Sequence, residues 1–247
     1  MSSRLSKVAR LLKHRELAKF YLNRTLWHFG MPGIGLQPMS LEGIFPGIQR
    51  VVPDVQLLNP LARTTGRSIE LDELVILLMI ERFTKSKRVL EIGTLFGNTA
   101  LNLAANTDGS VTTFDLPPEA MVDGDAHGAQ FRNHSLSSRI RQVYGDSVSF
   151  DWATLGEPFD FVFIDGCHTS QYVQSDSLNA LAHLQPGGTI VWHNYTFDTV
   201  AKVLDSYARR GLPLHWVSGT DFAVATVANP TATRQTLSPT TRTVAQY

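Results

Sequence analysis

The stretch "RVLEIGTLFGNTALNLA", Arg88 to Ala104, decides the fold: an apolar run, an acid, two glycines and a helical pattern follow one another without a gap. Arg88 to Ile92 reads as a buried strand and Phe96 to Asn106 as a helix, so Gly93 and Gly97 mark a tight strand-to-helix turn. A phosphate site at such a turn usually adds a lysine or keeps acids away, because an anion sits badly beside a carboxylate. Glu91 therefore points to a different ligand.

Outward from this unit, strand-like and helix-like segments alternate. Upstream, Ser68 is placed to cap a helix whose first turn holds Glu70, Asp72 and Glu73 and whose body is "LVILLMIERF". Downstream come strands at Val111 to Phe114, Ile140 to Tyr144 and Phe159 to Asp165. A Pro/Gly-broken region with some helix, reaching to about Leu136, separates the first two. A helix from Ser170 to Leu184 leads into the strand "TIVWH", and a helix from Phe197 to Arg210 into the short strands "LHWV" and "FAVATV". Repeated βα units with apolar strands predict an α/β fold, a doubly wound and mostly parallel sheet with helices on both faces. Ligands bind such sheets beyond the carboxyl ends of the strands.

The chain of 247 residues is long enough for one large domain, expected over 68–229. With 22 basic and 22 acidic residues no global field favours nucleic acid or a membrane surface, and a small-molecule partner fits better. A single cysteine, Cys167, excludes an internal disulfide framework and predicts a reducing, cytoplasmic setting. No apolar run has membrane-spanning length. The first thirty residues carry seven Lys or Arg against one Glu, with apolar residues from Leu5 to Leu26 at helical spacing, which reads as an amphipathic helix packing on its own domain or on a second subunit as a homodimer contact. Met31 to Arg67 is a Gly- and Pro-rich connection, read as packed down and able to serve as a lid. Residues 230–247 read as a poorly ordered, Thr-rich tail.

The residues at the strand ends are the informative ones. Four of five strands end at or beside an acid: Glu91, Asp115, Asp146 and Asp165. Asp115 follows Gly93 by 22 residues, the separation at which an acid accepts the hydroxyls of an adenosine ribose. NAD would use that acid too, but the turn lacks the third glycine of the dinucleotide fingerprint. A cofactor with an adenosine, a cationic centre and no phosphate suits the acids better, and S-adenosylmethionine (SAM) has those features.

The set "VLEIGTLFGNTALNLA", "TTFDLPP", "YGDS", "FDFVFIDGCHTSQYVQSD" and "LQPGGTIVWHNY" resembles the class I SAM-dependent methyltransferases, specifically the catechol O-methyltransferase-like group, over about Ile69 to Val227. The resemblance implies a Rossmann-like seven-stranded sheet with the last pair reversed. It places Glu91, Gly93, Thr94 and Gly97 at the methionine half of the cofactor, Asp115 at the ribose, Asp146 and Ser147 at the adenine edge, and Asp165 nearby. It also implies methyl transfer to a hydroxyl oxygen of a small molecule; nitrogen transfer, a catalytically silent scaffold and a nucleotide-cofactor oxidoreductase are the alternatives.

Two catalytic routes are open. In catechol-type relatives a divalent ion is held after strands four and five, positions occupied here by Asp165 and by His193 with Asn194, although Asn194 lacks the charge of the aspartate common there. The metal-free route takes His168 or His193 as general base, each near its operating pH without tuning. Asp176 reads as a solvated helix charge or a partner of His168, and Cys167 as a packing residue. Trp27, Phe45, Trp192 and Tyr195 are candidate lining for an aromatic-friendly acceptor site.

Overall fold

The computed structural model describes residues 35–59, 69–121, 126–156 and 158–238. The expected basic helix and dimer contact in the first thirty residues, Ser68, Trp27 and the end of the tail lie outside them. In chain order the elements are β1 (Pro38–Met39), α1 (Leu41–Ile44), α2 (Leu71–Thr84), β2 (Arg88–Ile92), α3 (Asn98–Asn106), β3 (Ser110–Asp115), α4 (Ala129–Arg132), β4 (Ile140–Tyr144), β5 (Phe159–Ile164), α5 (Ser170–Ala182), β6 (Leu184–Trp192), α6 (Asp198–Arg209), β7 (His215–Val217), β8 (Ala223–Val227) and α7 (Pro230–Leu237).

The sheet has eight strands rather than seven, in the order β1-β7-β8-β6-β5-β2-β3-β4. The additional strand is β1, which pairs in parallel with β7 at the edge, so the Gly/Pro-rich segment is not wholly irregular. Only β8 runs against the rest, inserted between β6 and β7. The chain leaves β2 in one direction to build β3 and β4, then returns to β5 on the other side. The reversal of strand order between β2 and β5 opens a crevice at their carboxyl ends.

Alternation along the strands builds two cores. Leu90 and Ile92 of β2, with Val162 and Ile164 of β5, join the apolar cluster that contains Val173, Leu181 and Val200 from α5 and α6. Val89, Phe161 and Phe163 point the other way, into a cluster with Leu77, Leu78 and Leu101 from α2 and α3. Both faces of these parallel strands are covered, which explains their unbroken apolar sequences.

Several boundaries differ from the sequence reading. Helix α2 begins after Glu70, the observed N-cap residue, although Glu70 makes no side-chain capping bond. Helix α3 begins at Asn98 because Gly97, at φ +83°, closes the turn first. The reading of 230–247 as a poorly ordered tail fails over 230–237: Asn229 accepts the amide of Ala232 with its side chain, Pro230 occupies the first turn of α7, and Leu237 is buried. Arg210 secures this helix through bonds to the carbonyls of Leu237 at 2.7 Å and Ser238 at 2.9 Å.

Candidate active site

A cavity of about 690 Å³ opens at the crevice between β2 and β5, inside the range of about 300–1,000 Å³ usual for small-molecule sites. Its floor is the glycine turn. Gly93 adopts φ +107°, and a Cβ there would collide with the carbonyl oxygen of Asp165, so only glycine lets β2 and β5 end this close together. Asp115 holds the rest of the turn: one carboxylate oxygen accepts the amides of Thr94 at 2.8 Å and Leu95 at 2.9 Å, and the other accepts the amide of Leu116 at 2.7 Å. These bonds keep Leu95 in a left-handed conformation at φ +45°.

Gly93, Thr94, Gly97, Asp115, Ser147 and Asp165 all line this one cavity. Glu91 and Asp146 do not. Glu91 shares the strand parity of Val89 and so points into the core under the turn, where it is wholly buried and accepts a hydrogen bond from Thr113 Oγ1. Burial pushes its carboxyl well above the usual range, against the opposing bond from Thr113 and with help from Asp165 and Asp115. A buried acid bracing the turn from below stands where the resemblance implied a contact with the cofactor. Asp146 folds back on its own turn, accepting the amide of Val148 at 3.0 Å. Ser147 alone of that pair reaches the cavity.

At the other end of the cavity three elements converge on His193, just beyond β6. Its Nδ1 lies 2.9 Å from Asp165 Oδ1 and its Nε2 lies 3.0 Å from Glu73 Oε2. Glu73 comes from the first turn of α2 and uses its other oxygen to accept the amide of Asp221 at 2.6 Å. Burial disfavours charge on the ring, but the two carboxylates, Asp165 foremost, overcome it and push His193 up to about 10. Burial likewise opposes ionisation of Asp165 and Glu73, yet the same imidazolium holds both below the ordinary carboxylate range. The sequence reading of His193 as a base near neutrality without tuning is corrected: the two flanking carboxylates hold its proton more tightly than that.

The arrangement also bears on the metal expected from Asp165, His193 and Asn194. Both ring nitrogens of His193 already face carboxylate oxygens, at 2.9 Å from Asp165 and 3.0 Å from Glu73. Among the described residues no group of three or more His, Cys, Asp or Glu has the geometry to hold one. The donor set as arranged does not fit a metal.

His168 is placed differently. Its Nε2 stands 3.7 Å from Asp165 Oδ1 without a hydrogen-bond partner, and the ring packs edge-on against Phe197 with centroids 5.0 Å apart. Both residues line the cavity. Cys167 is exposed there rather than packed. The expected aromatic lining is also corrected: Phe45, Trp192 and Tyr195 are core residues, and Phe96, Phe114, Tyr172 and Phe197 line the cavity instead.

Sequence reasoning passed over Glu73 and Asp221 as site residues and read Asp176 as a solvated charge or a partner of His168. Asp176 is neither solvated nor a helix-surface charge, being 1% exposed. The signal was available in its spacing: Val173, Asp176, Ser177 and Ala180 form the buried face of α5. Glu73 and Asp221 had no such signal, since their roles depend on α2 and the start of β8 meeting at His193.

Residues 90–195 match the family model described as a methyltransferase domain. No curated protein sequence matches the chain. Among solved structures, the O-methyltransferase TomG of Streptomyces achromogenes, involved in tomaymycin synthesis and crystallised with SAM, superposes with a TM-score of 0.58 at 18% identity, covering 77% of this chain and 100% of its own. Cofactor-bound Rv0187 from MTB gives 0.55 at 22% identity, with 74% and 88% covered. The O-methyltransferase of Bacillus cereus in complex with SAH gives 0.53 at 19% identity, with 73% and 88% covered. At these identities the likeness establishes the shared fold.

Proposed function

We propose, from the premise that residues 90–195 form a methyltransferase domain, that this protein transfers the methyl group of SAM to a hydroxyl oxygen of a small molecule. One observation carries the reading: a single cavity at the switch point of the sheet joins the glycine turn and Asp115 to the Asp165, His168 and His193 cluster. Solved structures of the same fold hold SAM or SAH, which supports the choice of cofactor.

SAM supplies an electrophilic methyl carbon and leaves as the neutral thioether S-adenosylhomocysteine (SAH). The chain's own residues bind, orient and deprotonate. The backbone of Gly93, Thr94 and Gly97 admits the methionine end, Asp115 faces the ribose, and Ser147 stands at the adenine end. His168 removes the proton of the acceptor hydroxyl as its oxygen forms the new bond to carbon. Phe197 packs the His168 ring edge-on, and the nearby negative charge of Asp165 stabilises its charged form once the proton has moved. His193, held between Asp165 and Glu73, places a positive charge beside the developing alkoxide. These residues act by alignment and electrostatics, which suits a reaction whose donor is already activated.

Calorimetric titration tests the binding half: SAM and SAH bind at micromolar concentrations, and Asp115→Ala weakens both. Single-turnover rates test the chemistry, with acceptors found by mass spectrometry of an extract incubated with methyl-labelled SAM. His168→Gln lowers the rate by about 100-fold or more while SAM affinity holds. An unchanged rate removes His168 from the reaction, and unchanged SAM affinity in Asp115→Ala removes the ribose contact.

A further inference from the structure

Asp176 lines the cavity and takes no part in the proposed chemistry. It projects from the buried face of α5, is 1% exposed, and its Oδ1 has no hydrogen-bond partner. Its surroundings locate it. Ser147, just after β4, stands beside the carboxyl and counters part of the effect of its burial. The other oxygen lies 3.5 Å from the point where a Cβ on Gly166 would stand, and Tyr172, one turn earlier on α5, lines the same wall. Asp176 therefore sits where α5 packs on the turn after β4, whose Ser147 carbonyl accepts hydrogen bonds from Ser175 and Asn179, on the side where the proposed reading puts the adenine ring.

A buried carboxyl oxygen with no partner is destabilising by itself and is tolerated where a ligand completes it. The complement needed here is a planar donor, accepted deep in a cavity wall bounded by Phe114, Leu116 and Tyr172. Adenine is flat, carries an exocyclic amine, and presents a ring nitrogen beside it as an acceptor. A carboxyl group meets both positions in its neutral form, with one oxygen accepting the amine and its hydroxyl donating to the ring nitrogen, just as an Asn or Gln amide does. The surroundings favour that form: burial first, with Asp146 adding to it and Ser147 opposing, pushes Asp176 up to about 6.

We propose that Asp176 is the residue that reads the amine edge of the cofactor's adenine, with Ser147 beside its carboxyl. The inference rests on the SAM reading and adds a specificity determinant that the spacing of strand-end motifs does not reveal. Asp146, the acid of the "YGDS" turn, accepts the amide of Val148 and does not line the cavity.

The test compares SAH with its 6-deaminated purine analogue, in which hydrogen replaces the adenine amine, by calorimetry on the full chain. Wild type favours SAH by at least about tenfold, since a site built around a donor rejects an analogue lacking it. Asp176→Ala loses about tenfold or more for SAH and little for the purine analogue, so discrimination collapses. Asp176→Asn, an isosteric amide, keeps SAH affinity within about threefold because it offers the same acceptor and donor pair. Near-UV circular dichroism of each variant separates a lost contact from a lost fold. Equal binding of the two ligands by wild type overturns the assignment without using any variant, as does unchanged discrimination in a folded Asp176→Ala. Binding of neither ligand by wild type overturns the SAM reading together with this one, whereas indifference to Asp176 with intact SAH binding overturns this one alone.

Discussion

His193 is held by two carboxylates from different parts of the chain, and its value depends on both. Removing the ring by His193→Gln leaves Asp165 and Glu73 facing each other without a cation, which destabilises the protein by about 3 kcal/mol near pH 6, the lower end expected for a broken buried pair because these side chains keep some solvent contact. The ring's folded value of about 10 lies above its ordinary 6.5. Its contribution is therefore complete below about pH 6.5 and fades as pH rises through 10. The two acids have the opposite sign, contributing above their ordinary values and losing this as pH falls through their depressed ones. Chemical denaturation of wild type and variant across pH 5 to 10 checks this, with the gap closing at the alkaline end. Glu81 is the contrasting residue: it is 1% exposed, both its carboxylate oxygens lack partners, and burial foremost raises it well above 4.5. A raised carboxyl stabilises most below its ordinary value and loses that as pH rises. Glu81→Leu therefore gains about 1–3 kcal/mol at pH 8 and almost nothing at pH 4, measured by the same method.

Single residues also set the behaviour of whole elements. The turn between β2 and α3 exists because Gly93 lets the carbonyl of Asp165 approach, and Asp115 then ties the turn's amides to the end of β3. Gly93→Ala forces β2 and β5 apart at their carboxyl ends. The expected outcome is loss of SAH binding together with a lower melting temperature, whereas an unchanged melting curve contradicts the packing described for this turn. Helix α7 follows the same logic at the far end of the chain. Asparagine followed by proline is a helix-start signature, and it was legible in "NPTATRQTL", but the polar, Thr-rich composition around it argued for a tail. What keeps the helix in place is tertiary: Leu237 is 1% exposed, and Arg210, at the end of α6, binds the carbonyls at its end. Leu237→Ala costs about 2 kcal/mol, seen as a fall in Tm of roughly 4–8 °C in a thermal melt.

For the molecule as a whole, the cluster at the end of the cavity predicts how catalysis responds to solution conditions. Because both nitrogens of His193 already face carboxylates, turnover persists in excess chelator; loss of turnover with chelator, restored by one divalent metal, contradicts the His168 route. No helix among the described residues is long and apolar enough to cross a membrane. The sequence by itself determined the sheet class, the order of the βα units, the glycine turn and the placing of Asp115, Ser147 and Asp165 at one edge, because these depend on local periodicity and on the period of a strand. Parity along β2 was equally local, and counting from Val89 would have turned Glu91 into the core. Only the tertiary structure decided which acids carry charge, which face the cavity and which brace a turn. Glu73, Asp165 and Asp221 are 92 and 56 residues apart in succession along the chain, and they meet only because α2, β5 and the start of β8 end at one place. Charge in a protein interior is set by such neighbours and by exclusion of water, and neither is written in the spacing of residues along a strand.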